Sequence, residues 1–324
     1  MGKAAAICDS LMKLMIRTRA AMLALLSTGI AFAGGEGWTT DYEAAKKEAA
    51  ASKKSLLIDF TGSDWCGWCI KLNEEVFQKD IFKQGVKDKF VLVELDFPQD
   101  KSKLSEATIK QNEQLSEKYA VQGFPTIVLA DEEGRPFATT GYEAGGPDSY
   151  VKHLDTLLEK KKARDEGFAA AEKAEGVAKA KALVGVLDAM ELDDGLVSNF
   201  YVSTVEQIKK SDPSDETGYG KKLAAKERMT KFETELNSFA EKQDFAGALG
   251  VVDKTLKEGG LSAEDSQKVT LMRGLIFAEQ GKFDEAIKAV DEAKKLAPES
   301  EVAGQIDQLK KQLETMKAHG GAGE

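Results

Sequence analysis

A short apolar run, Ser55-Leu56-Leu57-Ile58-Asp59-Phe60, is followed a few residues later by Cys66-Gly67-Trp68-Cys69. The first segment has the length and aliphatic content of a buried strand. The second opens a stretch, Cys66 to about Phe77, with helical spacing. Strand, turn and helix are thereby set in order, with two cysteines one helical turn apart at the junction. Ser63-Asp64 can cap that helix, and Glu74 and Glu75 follow.

The surrounding chain supplies partners for this strand. Tyr42 to Ser52 reads as a helix, Ile81 to Val86 as a short one, and Phe90 to Asp96 as a strand. Lys101 to Tyr119 is helical and polar. Thr126 to Leu129 is a strand, Asp131-Glu132-Glu133-Gly134 a turn, and Arg135 to Thr140 the strand leaving it. A closing helix runs from Pro147 to Lys162, with proline suited to its first turn. Strands alternating with helices imply α/β, a sheet covered on both faces.

Past residue 162 the strand signals stop, and the chain becomes rich in Ala, Lys, Glu and Leu. Lys242–Asp253 lines up with Gln280–Asp291, 38 residues later, with Phe245/Phe283, Ala248/Ala286 and Val252/Val290 in phase. The second copy resembles a tetratricopeptide repeat on Gly274, Phe277, Gly281, Ala286, Ala293 and Pro298. Gly176 to Met190 is a candidate helix of an earlier, degenerate copy. For residues 165–230 a repeat and an ordinary bundle stand as alternatives. The expected division is a leader at 1–33, an α/β domain at 34–162 and a helical repeat domain at 163–324 with a disordered tail from His319.

The leader reading rests on order. Lys13, Arg17 and Arg19 precede an apolar stretch from Ala20 to Ile30, and Ala31-Phe32-Ala33 supplies a small-x-small cleavage pattern. The expected product is an exported chain, periplasmic where there is a periplasm, cut after Ala33, with the start at Met1, Met12 or Met15 left open. Removing residues 1–33 takes away Lys3, Lys13, Arg17 and Arg19 against Asp9, which moves the net charge from −10 to −13. That acidity argues against a nucleic-acid partner. No later apolar run approaches the ~18 residues of a membrane span, so no stable insertion is expected. Cys8 also leaves, so Cys66 and Cys69 would be the only cysteines of the exported chain.

One tight pair cannot staple a fold of this size. Zinc would need about four Cys/His ligands, and the chain has two histidines, His153 and His319; no metal or cofactor is expected. At a helix N-terminus the Cys66 thiolate is favoured by free N–H groups and the helix dipole. Cys66 is therefore the expected attacking thiol and Cys69, one turn on, the resolving thiol of a redox disulfide.

On these residues the segment from Trp38 to about Lys162 resembles exported thioredoxin-like proteins. Three motifs carry the likeness: Asp59-Phe60-Thr61-Gly62-Ser63-Asp64-Trp65-Cys66-Gly67-Trp68-Cys69, Val91-Leu92-Val93-Glu94-Leu95-Asp96 and Gly123-Phe124-Pro125-Thr126. The resemblance implies a thioredoxin fold, a cis Pro125 facing the cysteines and a Phe124 backbone free to pair with substrate. It places Trp65 beside the thiols and makes Asp59 the buried carboxylate that takes the Cys69 proton. Asp59 precedes Cys66 by seven positions, one more than in ordinary thioredoxins, so the Thr61-Gly62-Ser63 turn must absorb a residue or move the carboxylate away. Gly67 and Trp68 are expected to shape substrate contact. Lys71 reads either as a thiolate stabiliser or as a solvated surface lysine.

The expected activity is thiol-disulfide exchange with protein disulfides, reductase- or isomerase-like because no histidine stands between the cysteines, and fed by an upstream thiol donor. The helical repeats would dock a partner. The alternative is a binding scaffold in which those repeats do the work.

Overall fold

The computed structural model describes Gly35 and residues 37–320. The leader reading and residues 321–324 of the tail lie outside the described residues. The chain divides into two compact units. One runs to Ala169 and takes in Gly185–Ser203; the other comprises Ala170–Val184 and the residues from Thr204 onward.

In the first unit, β1 (Trp38–Thr39), β2 (Ser55–Thr61), β3 (Phe90–Asp96), β4 (Thr126–Ala130) and β5 (Pro136–Thr140) form one sheet in the order β1-β3-β2-β4-β5. β1 and β2 run parallel to β3; β4 is antiparallel to β2 and β5 to β4. This mixed sheet, flanked by helices, is the thioredoxin fold. β1 was not anticipated, because two residues are too few to show a period.

Successive residues of a strand face opposite sides of a sheet. Leu56, Ile58 and Phe60 of β2 and Val91, Val93 and Leu95 of β3 share a core with Tyr42, Ala45 and Ala49 of α1 (Tyr42–Ser52). The other face carries Leu57, Asp59 and Thr61 beside Leu92, Glu94 and Asp96. It is apolar at one end and acidic at the other.

The helix expected from Cys66 to Phe77 divides into α2 (Gly67–Leu72) and a π-helical turn (Asn73–Phe77), followed by α3 (Asp80–Val86). Trp38, Phe77, Phe82 and Tyr150 pack into one aromatic cluster, with Phe77 and Phe82 4.9 Å apart. The helix expected from Lys101 begins as a 3₁₀ turn (Lys101–Lys103) and becomes α4 (Glu106–Lys118). Ser105 sets that start by accepting the Thr108 N–H on its side chain, an N-cap. α5 (Gly146–Glu172) runs past the expected end at Lys162.

α6 (Gly176–Met190) is followed by α7 (Asp194–Phe200), which belongs to the first unit. Leu196 of α7 enters the core beside α1, and Phe200 lies 4.8 Å from Tyr119. The second unit is all helical among the described residues. Beyond α8 (Val202–Ser211) it holds α9 (Tyr219–Ala240), α10 (Phe245–Glu258), α11 (Ala263–Glu279), α12 (Phe283–Leu296) and α13 (Ala303–Gly320). The two segments matched in sequence form α10 and α12, each 14 residues long. A Cβ on Gly274 of α11 would lie 2.9 Å from Val290 and 3.2 Å from the Ala286 carbonyl of α12. Glycine therefore lets these two helices approach.

Candidate active site

The dithiol sits where β2 hands over to α2, and it is closed as a Cys66–Cys69 disulfide of 2.07 Å. Cys66 is itself the N-cap of α2: its backbone is extended and its Sγ accepts the Cys69 N–H at 3.2 Å. The cap expected from Ser63 or Asp64 is not made. Ser63 instead donates from N–H and Oγ to the Asp96 carboxylate, at 2.8 and 2.6 Å. Asp64 accepts the Gln99 N–H and the Lys103 ammonium, both at 2.9 Å. Those two bonds, the Gln99 N–H foremost, hold the Asp64 carboxyl below its ordinary range. Ser63 thus ties the active-site turn to the end of β3, and Asp64 ties it to the segment that follows.

The turn closes through the Gly62 carbonyl, which accepts the N–H groups of Trp65 (3.3 Å) and Cys66 (2.9 Å). A Cβ on Gly62 would stand 2.5 Å from the Trp65 indole, so glycine is what lets that ring fold back. Trp65 remains 44% exposed. Its Nε1–H donates to the Phe97 carbonyl at 2.8 Å, and its ring meets Phe124 edge-on at 5.6 Å. Phe124 also packs on Phe97, and the Phe124–Pro125 peptide bond is cis.

On the other side, Trp68 is 58% exposed and tilts against Tyr142 at 5.0 Å. Lys71 is engaged with those rings, its ammonium 5.1 Å from Trp68 and 4.9 Å from Tyr142. Tyr142 in turn donates to Glu75 at 2.7 Å. Gly67 is exposed between the two cysteines.

Cys69 borders a cavity of about 730 Å³ whose walls also include Asp59, Asn73, Glu94, Asp96 and Asn112. Asp59 and Cys69 both border this space, with the Gly62 turn between β2 and Cys66. Asp59 is 5% exposed, and its Oδ1 has no hydrogen-bond partner. Burial, then the charges of Glu94 and Asp96, push its carboxyl well above the usual carboxylate range. Asp59 thus shares a cavity wall with Cys69, which is bonded to Cys66, while Trp65 packs on Phe124 and Trp68 on Tyr142.

Sequence reasoning missed Glu94, Asp96, Phe97 and Tyr142. For the first two a signal existed: carboxylates at alternate positions of an apolar strand lie on one face. Tyr142 stands far from the cysteines in sequence, and nothing local marks it.

Comparison with known proteins agrees with the geometry. The thioredoxin-like domain family matches residues 42–157. The disulfide bond reductase DsbH of Chlamydia pneumoniae is 38% identical over 117 residues, covering 36% of this chain and 70% of that protein. The thioredoxin-related protein DsbJ of the same organism is 30% identical over 128 residues, covering 37% of this chain and 36% of that one. A solved DsbH oxidoreductase structure is similar at 34% identity, covering 44% of this chain and 98% of that one, with a TM-score of 0.37. With a disulfide at its strand-to-helix turn and this identity across most of a reductase, the chain belongs to the thioredoxin-like family of thiol-disulfide oxidoreductases.

Proposed function

We propose that this oxidoreductase works as an exported reductase of protein disulfides, with Cys66 as the attacking sulfur. The observation that carries the reading is the asymmetry of the pair. Cys66 caps α2 with its sulfur, where N–H groups favour a thiolate, whereas Cys69 is itself buried and borders the cavity that Asp59 lines. Cys66 thiolate attacks a substrate disulfide and releases one substrate thiolate. Cys69 then gives its proton to Asp59 and attacks Cys66 Sγ, which releases the second. Two electrons pass to the substrate, and an upstream thiol donor restores the dithiol. Exposed Gly67 and Trp68, with Trp65, Phe124 and Pro125, would form the surface a substrate strand meets.

Direction and place follow from further features. Gly67 and Trp68 supply no histidine to stabilise the thiolate strongly, which favours a reductase over a strong oxidant, and the DsbH relative is named a reductase. Export rests on the pattern of residues 1–33; no helix among the described residues is long and apolar enough to cross a membrane. The helical region would dock partners.

Cys69→Ala should accumulate mixed disulfides with protein substrates, and Cys66→Ala should not. In the reduced protein at neutral pH, alkylation should label Cys66 first. Faster labelling of Cys69 would reverse the assignment. The reduction potential of the couple then separates reductase from oxidant.

A further inference from the structure

Asp59 and Glu94 are register partners on parallel strands β2 and β3, so their side chains leave the same face side by side. Glu94 is 3% exposed, Asp59 is 5% exposed, and both border the cavity that reaches Cys69. Asp59 Oδ1 is buried and has no hydrogen-bond partner. A lone buried carboxylate is a poor place to leave a charge; two side by side are worse, because like charges sharing a site resist ionising together.

We propose that Glu94 is a positioning residue for the resolving step: its carboxylate keeps Asp59 a proton carrier, so that one proton passes between Asp59 and Cys69 in each half of the redox cycle. This rests on the reading that Cys66 attacks and Cys69 resolves. During resolution, with Asp59 ionised beside the Glu94 anion, the pair draws the proton from Cys69 Sγ. The Cys69 Sγ–Cys66 Sγ bond forms, the bond from Cys66 Sγ to substrate sulfur breaks, and substrate leaves as a thiolate that is protonated by solvent. When a thiol donor reduces the Cys66–Cys69 disulfide again, Cys69 leaves as the thiolate and Asp59 returns the proton.

Other groups face the same space and bear on its pH response. Asp96 lies two positions beyond Glu94 on β3, where it accepts both Ser63 hydrogen bonds. Glu74 of the π-helical turn, Lys103 of the 3₁₀ turn and Asp64 border the outer part of the cavity. Off the cavity wall, the Tyr150 phenol of α5 is pushed up by burial and then by the charge of Asp59, and its hydroxyl donates to the Gly141 carbonyl. Among these groups Glu94 alone is register-paired with Asp59.

The test follows the reaction of the reduced full chain with oxidised glutathione from pH 5 to 9. Acid quenching and mass spectrometry separate formation of the Cys66 mixed disulfide from its decay. Glu94→Gln removes the neighbouring charge and lets Asp59 ionise sooner. The acidic limb of the decay rate should therefore move to lower pH by about one unit or more, while the formation step stays unchanged. Glu94→Asp should bring the limb back toward the wild type. Decay profiles that superimpose for wild type and Glu94→Gln overturn the proposal, as does an equal shift of both steps. If mixed-disulfide formation does not depend on Cys66, the parent reading fails instead.

Should Glu94→Gln not fold, wild-type protein with 13C-labelled carboxyl groups answers the same question. Asp59 and Glu94 resonances that move in common titration steps support the pair, and independent one-step titrations overturn it.

Discussion

A carboxylate with one oxygen sealed from any donor, as Asp59 Oδ1 is, weakens the fold whenever it ionises. The folded Asp59 carboxyl is raised above its unfolded value by burial and by Glu94 and Asp96. Its contribution to stability is thus fully present below the unfolded value, about 3.9, and is lost as pH rises through the folded one. Asp59→Asn removes that loss. Urea unfolding of the oxidised protein should show the variant more stable than wild type at pH 8 by on the order of 1–3 kcal/mol, and close to it at pH 4. Resolution of mixed disulfides should slow at the same time by roughly 10²-fold or more. A variant equally destabilised at both pH values would show that Asp59 serves packing rather than proton transfer. Asp59, Cys66 and Cys69 were legible because each stands in a local motif. The alternation of Glu94 and Asp96 was legible too, but the place of Glu94 beside Asp59 was not, because register is fixed by the whole sheet.

The elements of the α/β half were legible wherever a period ran for several residues, and their ends were decided by single side chains. Ser105 moved the start of α4, and Cys66 took the cap expected of Ser63 and Asp64. The continuation of α5 has a different cause. Arg164, 3% exposed, pairs with Asp131, 2% exposed, at 2.9 Å, and also donates to Asp165. Asp131 follows β4 and organises the β4–β5 turn by accepting the N–H groups of Glu133 and Arg135. Tyr201, just past α7, donates to the Pro136 carbonyl at 2.6 Å and lies within reach of Arg164. Three elements distant in sequence thus meet at one buried guanidinium, which a reading of periodicity cannot show. Removing one partner of a buried ion pair typically costs 3–5 kcal/mol. Arg164→Ala should fall at the low end, about 3 kcal/mol, because Arg135 still holds Asp131 at 2.9 Å. A urea midpoint unchanged within error would mean that α5 is held by its apolar contacts alone.

At the scale of the whole chain, composition changes near Lys162, yet the thioredoxin-like unit takes in Gly185–Ser203 as well. The apolar residues of α7 explain this. Leu196 is fully enclosed in the core with Tyr42, Leu115 and Tyr119, and Phe200 covers the Tyr119 ring. A fragment ending at residue 162 would open that side of the core and strip Arg164 from Asp131. Losing burial of Leu196 alone is worth about 1.5–3 kcal/mol, and the ion pair adds to it. A fragment of residues 34–203 should keep these contacts. Its thermal midpoint should exceed that of residues 34–162 by more than about 10 °C, given about 2–8 °C per kcal/mol for chains of this size. The dithiol, the cavity and the flanking aromatic rings all come from residues before 162. Well below either midpoint, the two fragments and the full chain should therefore reduce a small disulfide at similar rates. A protein substrate selected through the helical region should be reduced faster by the full chain. If residues 34–162 melt as high as residues 34–203, α7 is an ornament on a complete domain; if the 34–203 fragment loses small-disulfide reduction, the helical region shapes the dithiol itself.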